Sequence, residues 1–167
     1  MGNGDQSSEA TPARPRVEFP RGRYPGRLDD KGRLKLPTDF AQFFNSLPER
    51  KLYLTSLDRR IAQLYPIAEW RANEEFFDSF QDDPIAAQNI AFNASDLGAD
   101  VEMDSQSRIL VHPDLRRELK MEGQELHLIA YKGHLQILTE ERYQEQKRQA
   151  LESTAGNLTV LKKAGLR

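Results

Sequence analysis

Two short stretches carry the residues whose types and spacing can do chemistry. "LDDKGRLKLP" (28–37) and "MDSQSRILVHP" (103–113) each place an arginine four positions after an aspartate, Asp29 with Arg33 and Asp104 with Arg108. A carboxylate that opens a turn accepts bonds from turn amides, or a bidentate bond from the arginine that follows, and either use locks the turn. On that reading Asp29, Gly32, Asp104 and Arg108 structure their hairpins. Arg33 has company that the second stretch lacks, because Arg21, Arg27, Lys31 and Lys35 crowd the same segment. Cations on one rigid hairpin repel one another unless an anion lies against them, and a nucleic-acid backbone is the anion best suited to a row of them. Gln106 and Leu110 stand where the first stretch has Lys31 and Lys35. The first stretch is therefore the better candidate to touch DNA, through Arg21, Arg27, Lys31, Arg33 and Lys35, and whether Arg108 joins it stays open.

Other chemistry has weaker support. The chain of 167 residues has no cysteine, so a disulfide framework, a thiolate metal cage and a cysteine nucleophile are excluded. It contains no Gly-x-Ser-x-Gly, no Gly-x-x-x-x-Gly-Lys-Ser/Thr and no His-Glu-x-x-His. His112, His127 and His134 fall near strands of the second half, where exposed or hydrogen-bonded strand residues weigh against a metal site. No cofactor and no small-molecule substrate are expected. No apolar run approaches the roughly 18 residues of a spanning helix, and a cytoplasmic, nucleoid-associated protein is the expectation.

The formal net charge of −2 conceals an asymmetry. Between Arg14 and Lys35 eight bases stand against three acids, a local excess of five positive charges, so the remainder carries seven negative ones. A basic segment on an acidic body attracts a polyanion at one face while the rest stays soluble. The acid-rich "NEEFFD" and "SFQDD" read as a solvated helix face, or as a contact for a neighbouring subunit's basic arm.

The elements that must position these residues follow from periodicity. Residues 1–19 are rich in Gly, Ser, Pro and charge and read as a disordered arm. Leu28, Leu34 and Leu36 alternate with charged residues about the Asp-Lys-Gly turn, which predicts a β-hairpin over 27–36. Phe40, Phe43, Phe44 and Leu47 predict a short amphipathic helix ending at Pro48. "KLYLTSLDRRIAQLYP" supplies two strands about a turn at 58–60, and Pro66 opens a helix to about Phe80 with Ile67, Trp70, Phe77 and Phe80 buried. A further helix runs from about Pro84 to Asn93, and Gly98 ends the connection.

The pattern then restarts. Asp104 falls on Asp29 and Arg108 on Arg33 at an offset of 75, and "ELHLIAYKGHLQIL" lies over "KLYLTSLDRRIAQL" at an offset of 74. "PDLRREL" takes the short-helix slot, "TEERYQEQKRQAL" the closing helix, and Tyr143 stands near the place of Trp70. One copy of about 45 residues buries too little surface alone, so the two are expected to interlock as one pseudo-symmetric unit.

"RGRYPGRLDDKGRLKLP", "LYPIAEW" and "VEMDSQSRILVHPDLR" resemble the MraZ family of bacterial proteins with two tandem AbrB/SpoVT-type halves, over about Arg21 to Tyr143. The resemblance implies a mainly β fold with short helices (α+β), a double-split swapped-hairpin β-barrel, in a ring-like homo-oligomer. It also implies binding to double-stranded promoter DNA with repeated boxes upstream of a cell-division and cell-wall operon. The organisation it suggests is an arm (1–19), a first repeat (20–70), a helical connection (71–97), a second repeat (98–143) and a C-terminal helix and tail (144–167). Departures are Ser107 in place of a glycine, His112 in place of a proline, and the long arm before Pro20. Two other readings stand beside this one: an AbrB-fold module whose main partner is a protein, as in antitoxins, and an enzyme working in the barrel groove. The enzyme reading lacks a convergent nucleophile and base.

Overall fold

The computed structural model describes residues 17–167; most of the expected arm, with Arg14 and Arg16, lies outside the described residues. In chain order the elements are β1 (Arg23–Gly26), β2 (Arg33–Lys35), α1 (Thr38–Asn45), β3 (Leu52–Thr55), β4 (Ala62–Pro66), α2 (Ile67–Ser79) and α3 (Pro84–Asp96). There follow β5 (Ala99–Val101), β6 (Arg108–Leu110), α4 (Pro113–Glu118), β7 (Leu126–Tyr131), β8 (His134–Thr139), α5 (Glu140–Glu152) and α6 (Thr154–Ala164). The fold is mixed α+β, with antiparallel strands throughout.

Six strands form one sheet in the order β1-β7-β8-β4-β3-β5, and β2 pairs with β6 in a separate two-stranded ribbon. Every strand therefore finds at least one of its partners in the other repeat. The register repeats with the sequence: Tyr24 lies opposite Leu128 and Ala99 opposite Leu54. Those pairs exchange under the offsets of 75 and 74, and Leu34 faces its own counterpart Ile109 at the centre of the ribbon. A pseudo-twofold axis thus passes through the ribbon.

Three expectations need correction. The 27–36 hairpin is reduced to a single bridge, Leu28 to Leu34, because β2 takes its ladder partner from β6, 75 residues away. Alternation of Leu28, Leu34 and Leu36 reports which face is buried and not which strand covers it. The hydrogen bonding also does not close into a barrel, since β1 and β5 remain as sheet edges and the ribbon stands apart. The third concerns Phe80, which caps α2 half-buried against Phe76 instead of entering the core.

The core lies where the repeats interlock. Leu34, Leu36, Phe40, Phe44, Leu52, Leu54, Leu64 and, from the second copy, Ile109, Val111, Leu115, Leu126, Leu128 and Leu135 are buried together. The i,i+4 pair Phe40 and Phe44 on α1 and Leu115 on α4 are buried in one cluster with the ribbon's Leu34 and Ile109, and truncating such a side chain to Ala costs about 2–5 kcal/mol. A smaller cluster of Tyr65, Ile67, Trp70 and Ala94 joins α2 and α3 to the sheet. There the Tyr53 hydroxyl and Thr55 Oγ1 both donate to the Ala94 carbonyl, at 2.7 and 2.8 Å. α3 starts on Asp83, whose side chain accepts from the Ala86 amide, with Pro84 at the first helical position.

Candidate nucleic-acid interface

Each repeat closes the same turn in the same way. Asp29 Oδ1 accepts from the Lys31 and Arg33 amides at 3.0 and 2.8 Å, and Oδ2 accepts from Arg33 Nε at 2.8 Å. Asp104 Oδ1 accepts from the Gln106 and Arg108 amides at 2.9 Å each, and Oδ2 from Arg108 Nε at 2.8 Å. Backbone bonds duplicate the turn as well: Gly32 N to Asp29 O at 3.0 Å corresponds to Ser107 N to Asp104 O at 3.0 Å. A carboxylate held by amides and a guanidinium resists protonation. The Arg33 amide, with the Arg33 side chain and the Lys31 amide, lowers the Asp29 pKa from 3.8, and the Arg108 and Gln106 amides with the Arg108 side chain do the same for Asp104.

Using Nε for the carboxylate has a consequence for the arginines. Among the described residues the terminal nitrogens of Arg33 and Arg108 take no hydrogen-bond partner. The side chains are fixed at their middle and present their ends to solvent. In the ribbon Arg33 lies opposite Leu110 and Lys35 opposite Arg108. Leu34 and Ile109 point inward, so Arg33, Lys35, Arg108 and Leu110 share the outer face. Lys31 stands on the adjacent turn, exposed, and among the described residues neither it nor Lys35 pairs with a carboxylate.

The remaining basic candidates lie off this face. Arg27, between β1 and the turn, donates to the Gly123 carbonyl at 3.2 Å. Arg21 precedes β1 and pairs with Glu18 at 3.0 Å on an exposed edge. From Arg21 to Leu28 the extended chain spans about 20 Å, so Arg21 belongs to the other end of the first strand.

Two placements are not legible in the sequence: that of Arg108, which reads as a turn residue with its DNA contact left open, and that of Arg116. Arg108 is directly across from Lys35, which pairing between repeats creates and sequence order conceals. Arg116, on α4, lies over the first turn: a Cβ built on Gly32 meets Arg116 Nη1 at 1.9 Å. The only legible signal is the repeat itself, since Arg116 falls at offset 75 on the buried Ala41. The second repeat thus supplies a cation against the first repeat's turn. Gly32 has φ +76°, and its counterpart Ser107 adopts φ 61° without a glycine's freedom.

The histidines are engaged elsewhere. His112 Nε2 lies 2.7 Å from the Leu97 carbonyl, and His134 stacks on Tyr65 with ring centroids 4.5 Å apart. His127 Nδ1 is 3.0 Å from Arg23 Nη1, and its Nε2 meets Glu140. Because a guanidinium only donates, Nδ1 accepts and Nε2 carries the proton given to Glu140. Among the described residues no cluster of three or more His, Asp or Glu side chains is placed to hold a metal ion. No helix among them is long and apolar enough to cross a membrane.

Comparison with known proteins gives this arrangement a context. No family model matches the chain. A protein of Acidobacterium capsulatum named transcriptional regulator MraZ is 30% identical over 125 residues, 75% of this chain and 85% of the relative. One of Koribacter versatilis with the same name is 34% identical over 71% of this chain and 78% of its own length. A third, from Thermus thermophilus, is 34% identical over 75% of this chain and 85% of the relative. With identity at this level over more than two thirds of both this chain and its relatives, the chain belongs to the MraZ family.

Proposed function

We propose that the protein is a sequence-specific DNA-binding transcriptional regulator that recognises its target through the outer face of the β2–β6 ribbon. The observation that carries this reading is the set of three cations, Arg33, Lys35 and Arg108, on one two-stranded ribbon whose arginines are anchored at Nε with their terminal nitrogens outward. A two-stranded ribbon fits the major groove, and a guanidinium held in this way is shaped for a bidentate contact to guanine O6 and N7. Lys35 and Lys31 supply phosphate contacts, with Arg27 and Arg21 towards the flanking backbone. Asp29, Gly32, Asp104 and Arg108 hold the turns. The relatives are named transcriptional regulators, which agrees with such a role.

One ribbon covers a few base pairs and neutralises a few phosphates, which gives weak binding at physiological salt. Several copies in a ring-like homo-oligomer, each reading one box of a repeated promoter array, gain affinity by multivalency. We read the interlocked repeats as the double-split form of the tandem AbrB-like fold, the arrays as those of the protein's own cell-division and cell-wall operon, the effect as repression, and the site of action as the nucleoid. Fluorescence anisotropy of the purified protein on its own upstream region, against a scrambled duplex across a salt series, tests the core claim. Tighter binding to the upstream region, weakening steeply with salt, is expected. Equal affinity for the two duplexes defeats sequence recognition.

A further inference from the structure

α6 is a well-formed helix of 11 residues that buries none of them, and α5 before it also has no fully buried residue. Helices shorter than about 12–15 residues are marginal in water unless something packs against them. On α6 Leu158 and Leu161, three residues apart on one face, are 41% and 54% exposed, and Leu151 near the end of α5 is 65% exposed. Large apolar side chains are also exposed on α2 and α3, Phe76 on α2 and Ile85 and Phe92 seven residues apart on one face of α3, with the Arg59 guanidinium 5.7 Å from the Phe92 ring centroid. The charges around the two surfaces are opposite. From Glu69 to Asp83 six acids stand against one base, whereas residues 153–167 hold Lys162, Lys163 and Arg167 and no acid.

We infer that the α6 arm of one copy docks on the α2–α3 surface of the next, apolar stripe to apolar stripe, with the lysines of the arm against the acids of the α2–α3 connection. The surfaces differ, so the contact is heterologous: each copy gives an arm and receives one. Such contacts propagate from copy to copy and close when the rotation allows. The inference rests on the multi-copy reading above and names the surfaces that join the copies. It also assigns a use to the acid-rich α2–α3 connection, with α6 as the basic segment that meets it.

The test uses two variants of the full chain, Leu158→Glu/Leu161→Glu and Ile85→Glu/Phe92→Glu, all exposed positions, with far-UV circular dichroism confirming a parent-like body. Native mass spectrometry and light scattering at micromolar concentration give the size. The parent should be an oligomer and each variant alone a monomer. Mixed, they should form a one-to-one heterodimer and stop there, because only one arm and one receiving surface survive. The arm variant should also keep single-box DNA affinity while losing the gain from an array. An arm variant of parental size overturns this inference and leaves the assembly reading standing. A receiving-surface variant that dimerises alone, with no recovery on mixing, overturns it in favour of arm-to-arm pairing. A monomeric parent defeats both the inference and the assembly reading, while DNA recognition is judged separately by single-box binding.

Discussion

Lys35 faces Arg108 across the β2–β6 ribbon, one residue from each repeat. Two cations directly opposite on one strand pair repel, a cost of some tenths of a kcal/mol that a fold without an anionic partner gains nothing by keeping. The pair also means that the outer face is built jointly: the first repeat gives two cations and the second gives one. The sequence favours the first repeat for DNA contact and leaves Arg108 open; pairing places Arg108 directly across from Lys35 on the same face.

Arg108→Ala and Lys35→Ala should therefore weaken DNA binding to a similar degree, each lowering the slope of log affinity against log salt by about 1. Arg33→Ala should cost more, about 1–3 kcal/mol, and relax sequence preference if Arg33 reads a base edge. Affinities of the three variants across a salt series check this. If Arg108→Ala keeps the parental affinity and slope, the second repeat takes no part in the interface.

The Asp29 turn predicts a pH dependence. The Arg33 amide first, then the Arg33 side chain and the Lys31 amide, hold this carboxyl below its ordinary 3.8. A depressed carboxylate contributes stability that is complete above the unfolded value and is lost as pH falls through the folded one. Asp29→Asn should accordingly lower the melting temperature at neutral pH, and the gap to the parent should narrow as pH drops below 3.8. Calorimetry over that range decides the matter. A gap that stays constant into strong acid shows that the charge contributes nothing.

The turns were legible because everything that makes them is local. Asp29 and Arg33 lie four residues apart, and the same four-residue spacing recurs at Asp104 and Arg108, so residue type and spacing suffice. β1 was not legible as a strand, since Pro25 and Gly26 spoil its pattern. Its position at a sheet edge removes the objection, because an edge strand tolerates a residue without an N–H. Pairing of β2 with β6 was hidden for a different reason: alternation marks a buried face and carries no address for the strand that covers it. Arg116 over Gly32 is a contact across 84 residues, visible only once α4 is packed.

Ser107 and Gly32 form a natural experiment, one turn position in two copies. Ser107 holds φ 61° and Gly32 φ 76°, a region that costs a side chain about 1–2 kcal/mol. Ser107→Gly removes that strain but loosens the unfolded chain, which offsets about 0.4–1 kcal/mol. A net gain of up to about 1.5 kcal/mol is expected in urea unfolding. Gly32→Ala should do the reverse and more, because the new Cβ also displaces Arg116, 1.9 Å from its position. A Gly32→Ala protein as stable as its parent shows that the turn and Arg116 give way together without cost.

Linked ribbons make the target's spacing a mechanical matter. Boxes read by successive copies must face the same side of the duplex, which favours a repeat of about 10 base pairs. Inserting about 5 base pairs between two boxes turns the second to the far side, so a linked pair of ribbons engages only one. Affinity for the two-box duplex should then fall to that of a single box, a loss within the roughly 10²–10⁴-fold that linkage supplies, and insertion of a full turn should restore much of it. Titrations of three two-box duplexes that differ only in this insertion, with a single-box duplex as the reference, measure the effect. Affinity indifferent to the half-turn, or a single box bound as tightly as the pair, means that each copy binds alone and the ribbons are not linked.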